Sequence, residues 1–301
     1  MAYLQTVSER DATGEVAEVY RDIRRQMGSV PPLFCALSTD PVVLREAWRA
    51  YPYAMDYGAL GRAEREITAL AVARVLACRY GTDAATHQLV EMGMQHAQIA
   101  ALFREPSDPP NAHDTLIALA ESLTRGNDDE VKARIAALRD AGLGEQEIRE
   151  AATVCVWFNM LDRLVDGLGV PHDPIHRPGP LRSIRTAAYD IATRLWRTGE
   201  VPEVAARPEA GAGETAVVIL RQLIRRLEPL RRLPPRAFRN GIEENPRTID
   251  QALIQNMRDD GWDDQTIFHA ALVLAGRRAM ECWDSVLRHL DDPLSGSHPK
   301  V

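Results

Sequence analysis

An all-α protein is predicted by three features of this 301-residue sequence. Apolar residues recur at helical spacing in successive segments, Gly and Pro clusters separate those segments, and no stretch alternates apolar and polar residues as a half-buried strand would. Val16, Val19, Tyr20 and Ile23 form the first stripe, ended by Pro31-Pro32. Beyond the glycines between 58 and 61, Ile67, Ala71, Val75 and Cys78 form a second. Breaks at Pro106–Pro110 and Gly142–Gly144 lead to a third stripe of Ile148, Ala152, Cys155 and Phe158. Continuing at this density, the chain holds about ten to twelve helices.

The stretch GVPHDPIHRPGP, residues 169–180, has four prolines and two glycines, so no helix runs through it. It divides the expectation into a helical domain at 1–172 and a second at 173–301. Residues 199–214, GEVPEVAARPEAGAGE, read as a loop within the second. LRDAGLGEQEIREAATV at 138–154 echoes MRDDGWDDQTIFHAALV at 257–273, with eight identities at an offset of 119 residues. VEMGMQHAQIAAL at 90–102 carries a shorter form of the pattern. The second domain thus reads as a degenerate repeat; a Gly-capped helix followed by a polar N-cap is the plainer explanation. His269 takes the position of Glu150 in this echo.

A net charge of −7 and a pI near 5.7 supply no overall basic field for nucleic acid or anionic lipid. The N-terminus lacks the pattern of a secretory signal, and no run of apolar residues is long enough to span a membrane, so a cytoplasmic location is expected. Cys35, Cys78, Cys155 and Cys282 lie far apart without a CxxC pair, which signals neither a disulfide framework nor a zinc site. His172 and His176 have a spacing that a metal can use, but Pro174 between them prevents a regular helix. A small-molecule substrate fits this composition better than a macromolecular one.

Residues 62–93, RAEREITALAVARVLACRYGTDAATHQLVEMG, concentrate the chemistry. Together with PPLFCALSTDP at 31–41 and AATVCVWFNMLDRLVDGLGV at 151–170, they resemble the alkylhydroperoxidase D and carboxymuconolactone decarboxylase superfamily, over about residues 15–172. Peroxidase members of that group read E, eleven residues, C-x-x-C, three residues, H. This sequence reads Glu66, Cys78, Gly81, Ala85. A peroxidatic thiol must ionise, and the sulfenic acid it forms must be resolved by a second thiol. The resemblance therefore implies Glu66 as base and Cys78 as nucleophile, with the resolving thiol lost at Gly81 and the relay histidine lost at Ala85.

His87 does not replace that histidine if residues 78–87 are one helix. At about 100° per residue, position 85 falls within about 20° of Cys78 and position 87 roughly opposite. His87 instead pairs in expectation with Asp83, one turn earlier. Tyr80, Gly81, Thr82, Asp83, Ala85 and His87 are expected to line or support the site, with Phe158, Asn159 and Asp162 from the later segment. Asn159, Asp162 and Arg163 are polar within an apolar helix, and pairing across helices or subunits is the leading expectation.

The functional expectation is a small-molecule enzyme on an alkylhydroperoxidase D-like scaffold, not a standard thiol peroxidase. Three alternatives remain: a peroxidase using Cys78 with an external thiol, a lyase, decarboxylase or oxygen-using tailoring enzyme, or an inactive structural or binding protein. No cofactor is expected, with a non-haem metal left open. The resemblance implies a homo-oligomer, as trimers or hexamers.

Overall fold

The computed structural model describes residues 2–104, 110–172, 211–228, 230 and 232–290. Among these residues it is all-α: thirteen helices, one 3-10 turn and no strand. The count exceeds the expectation because two helices are only six residues long. Residues 173–180 of the 169–180 linker, with His176, and residues 199–210 of the expected loop lie outside the described residues.

The N-terminal helices are α1 (Gly14–Met27), α2 (Pro32–Leu37) and α3 (Pro41–Met55). Pro32 and Pro41 open the last two, where a missing N–H costs nothing. Asp40 caps α3 by accepting from the N–H groups of Val42 and Val43. Next come α4 (Arg62–Leu76), α5 (Arg79–Glu91), α6 (His96–Ala101), α7 (Ala112–Arg125), α8 (Asp128–Asp140) and α9 (Glu145–Gly167). The C-terminal helices are α10 (Ala212–Leu227), α11 (Arg236–Glu244), α12 (Gln251–Asp259) and α13 (Asp264–Leu290), with the 3-10 turn Pro246–Thr248 between α11 and α12. Residues 212–214, read above as loop, already belong to α10: Gly211 turns the chain in at φ 87° and Glu214 meets the positive end of the helix.

α9 and α13, the longest helices among the described residues at 23 and 27 residues, pack along each other. α4 lies against α5, α7 and α9, while α10 covers α3 and also touches α9 and α13. One hydrophobic cluster runs from Leu4 to Leu290, so described residues on both sides of position 172 share it. No described helix is long and apolar enough to cross a membrane.

The sequence echo builds the same turn each time. Gly93, Gly142 and Gly261 adopt φ of 97°, 92° and 86°. In each case the glycine N–H and the next residue's N–H close back on the preceding helix, as with Gly142 to Arg139 O at 3.0 Å and Gly261 to Arg258 O at 2.9 Å. The echoed positions Glu150 and His269 then tie their helices to the N-terminal part. Glu150 accepts from the N–H groups of Ala59 and Leu60, and His269 Nε2 lies 2.7 Å from Asp40 Oδ2.

Candidate functional site

The stripe of α4 does not continue into Cys78. Ala77 stops the helix at φ 52° and ψ 31°, the one left-handed residue other than glycine among the described residues. Cys78 N–H closes on Ala73 O at 2.8 Å, and Cys78 becomes the N-cap of α5. Its carbonyl accepts from Thr82 N and Oγ1, and its Sγ accepts from Gly81 N–H at 3.4 Å. Glu66 and Cys78 therefore stand on separate helices, because a cap geometry intervenes where the apolar spacing suggested continuity.

The polar neighbours of Cys78 come from α9. Its thiol donates to Asp166 Oδ1 at 3.5 Å, and Asp162 lies beside it. Burial, then the charges of Asp162 and Asp166, push the thiol well above its ordinary range. Burial and the neighbouring Asp166 likewise drive the Asp162 carboxyl far up, and Asp162 Oδ2 is buried without a hydrogen-bond partner. Asp166 is half-buried and also raised by burial, though Cys78, Arg247 and His172 draw it back.

Gly81, where the resemblance puts the second thiol, is closed by Asp162. A Cβ built there would stand 2.4 Å from Asp162 Oδ1 and 2.9 Å from its Cγ. Ala85, in place of the relay histidine, is buried one turn further along α5.

Glu66 forms a separate cluster. Although it lies near the start of a helix, it is only 2% exposed, and Glu64 is the acid of the first turn. Arg62 donates to Glu66 Oε1 through Nε at 3.0 Å and Nη2 at 2.5 Å, and also reaches Asp56 and the hydroxyl of Tyr51. Burial raises the Glu66 carboxyl despite Arg62, and pushes the Tyr51 phenol up to about 12. Among the described residues no hydrogen bond or ion pair joins Glu66 to Cys78.

The expected Asp83 and His87 pairing is replaced by others. Asp83 faces Arg79 at 3.7 Å and His172 at 3.6 Å, while His87 faces Glu91 at 3.8 Å. Each acid and base finds a partner one turn away in the opposite direction or from the residues after α9. Tyr80 is buried, and its hydroxyl accepts from Leu33 N–H at 3.4 Å, tying α5 to α2. Phe158 packs against the core.

Cross-helix pairing holds for two of the three polar residues of α9. Asn159 donates to Thr124 Oγ1 and to Cys155 O, both at 3.0 Å. Arg163 donates to Glu243 O at 2.6 Å and Ile242 O at 3.3 Å, and burial lowers its guanidinium to about 10.

Several neighbours of these groups lie outside the motif. Asp166 falls four residues after Asp162 and Arg62 four before Glu66, so helical spacing alone was a usable signal. Arg65 and Glu150, buried and paired at 2.7 Å, gave none, being 85 residues apart. Arg65 also donates to the carbonyls of Ala54, Tyr57 and Leu60, which fixes the approach to α4. No group of three or more His, Cys, Asp or Glu side chains is arranged to hold a metal among the described residues.

No protein-family model matches the chain. A stretch of 100 residues, 33% of the chain, is 34% identical to a Mycobacterium tuberculosis protein named alkyl hydroperoxide reductase, of which it covers 29%. Part of the chain is thus similar to a peroxidase-related protein, and the match spans under a third of that protein's length.

Proposed function

We propose that the chain is a peroxidase-related enzyme on an alkylhydroperoxidase D-like scaffold that has given up the two-thiol cycle. In this reading its buried carboxyl groups transfer a proton to or from a small organic substrate. The observation that carries it is the Asp162 carboxyl standing against Gly81 beside Cys78, with Oδ2 unpartnered. A carboxyl raised by burial keeps its proton near neutral pH and can donate it, as a general acid must. Asp166, half-buried and bonded to Cys78, stands one helical turn along α9 from Asp162. Cys78 stays a thiol there, which makes it a poor nucleophile.

One observation favours a one-thiol peroxidase as the second reading: Cys78 Sγ accepts a backbone N–H at the N-terminus of the 13-residue α5. That is where a thiolate is stabilised. The thiol would then reduce a hydroperoxide to an alcohol and become a sulfenic acid. One external thiol would form a mixed disulfide with loss of water, and a second would release Cys78 as a thiol.

Two assays separate the readings. Proton donation is measured as solvent deuterium delivered to carbon when a panel of small enols ketonises, each enol losing its hydroxyl proton to solvent. It should vanish in Asp162→Asn, fall in Glu66→Gln and survive in Cys78→Ser. Dithiothreitol-dependent hydroperoxide consumption that is lost in Cys78→Ser would overturn the proton-transfer reading in favour of the second. Assembly into a homo-oligomer belongs to the same proposal and is checked by sedimentation.

A further inference from the structure

We propose that the cleft between α1, α3 and α10 binds a planar, uncharged aromatic molecule carrying a hydrogen-bonding oxygen, such as a phenol or quinone. The cleft holds about 760 Å³, within the roughly 300–1,000 Å³ of small-molecule sites. Trp48, Tyr53 and Tyr57 give its lining an aromatic part. Tyr53 and Tyr57 meet edge to face with ring centroids 5.3 Å apart. From α10 the lining adds Val218 and Ile219. Val218 keeps 50% of its surface exposed, so an occupant that covers it gains apolar burial. A flat apolar ring suits both the aromatic and the aliphatic lining.

Charge on the walls selects against an ionic occupant. Among the described residues, two charged side chains line the cleft, and both are already paired: Arg49 donates to Glu46 at 2.6 Å, and Glu214 faces Arg149 at 3.6 Å. A carboxylate entering here would lose hydration without meeting an unpaired cation. The other polar groups, the amides of Gln26 and Gln222 and the hydroxyl of Thr215, are neutral and suit a phenolic or carbonyl oxygen. Trp48 also stacks on Tyr51, with centroids 5.6 Å apart, and Tyr51 accepts from Arg62. The aromatic lining therefore backs onto the Glu66 cluster, while Cys78 and Asp162 are not part of it.

The full chain is titrated with 2-naphthol and, separately, with 2-naphthoate, by tryptophan fluorescence and equilibrium dialysis. Saturable 2-naphthol binding is expected, with 2-naphthoate weaker by about tenfold or more. Thr215→Trp, which fills the cleft, and Val218→Trp, at a half-exposed position, should each weaken 2-naphthol by about tenfold or more. Cys78→Ser should bind like the parent, which separates this site from the reaction proposed above. Absence of saturable binding, binding unchanged in both tryptophan variants, loss in Cys78→Ser, or naphthoate binding as tightly as naphthol would each overturn the proposal.

Discussion

Replacing Gly81 with alanine tests the contact at the centre of the site. The new Cβ would lie 2.4 Å from Asp162 Oδ1 and 2.9 Å from Cγ, against an optimal separation of about 3.5 Å or more. Asp162 sits mid-way along the buried α9 and has little room to swing aside. Overpacking of this kind costs about 1–3 kcal/mol, while Gly to Ala within a helix returns about 1 kcal/mol. The single substitution should therefore destabilise by up to about 2 kcal/mol. In an Asp162→Ala background the clash is gone, and Gly81→Ala should stabilise by about 1 kcal/mol. Urea unfolding of the four proteins gives the coupling, expected at about 1–3 kcal/mol. Additivity within about 0.5 kcal/mol, or a Gly81→Ala single variant more stable than the parent, would refute the placement of Asp162.

Three further outcomes follow from other contacts. Arg65→Met leaves Glu150 buried without its cation and should cost about 3–5 kcal/mol in denaturant unfolding; a loss under about 1 kcal/mol contradicts the burial of that pair. The Asp162 carboxyl, ordinarily near 3.8, is raised in the folded state, so that state holds a proton the unfolded chain has released. Its contribution is fully present below the unfolded value and is lost as pH rises through the folded one, so stability against pH above about 4 should fall less steeply in Asp162→Asn. Equal slopes in the two proteins would contradict it. Iodoacetamide under native conditions at neutral pH should label the partly exposed Cys35 ahead of the buried, pKa-raised Cys78. Mass spectrometry showing Cys78 alkylated first would remove the premise of a protonated thiol.

Much of the site was legible where its signals were local. Apolar spacing marked α1, α4 and α9, and Pro32, Gly61 and the 142–144 turn marked helix starts. The motif located Cys78, Gly81 and Ala85 on neighbouring turns, and the polar residues of WFNMLDRL on one buried helix. What failed was the step from spacing to partnership. Asp83 and His87 are separated by one turn, yet His172 and Glu91 compete for them successfully. Ala77 carries no sequence sign of a left-handed residue; the packing of α5 against α4 and α9 imposes it.

The amino-acid sequence by itself determined an all-helical chain and a short list of chemical groups, because periodicity, caps and turns are fixed by residues a few positions apart. Only the tertiary structure decided which groups meet. Cys78 meets Asp166, 88 residues away, and Arg65 meets Glu150, 85 residues away. Such pairings depend on how α9 lies against α4 and α5, and burial there turns ordinary carboxyls into raised ones. A thiol that the motif presents as a nucleophile is held protonated chiefly because it is buried away from water, with two acids of a distant helix beside it.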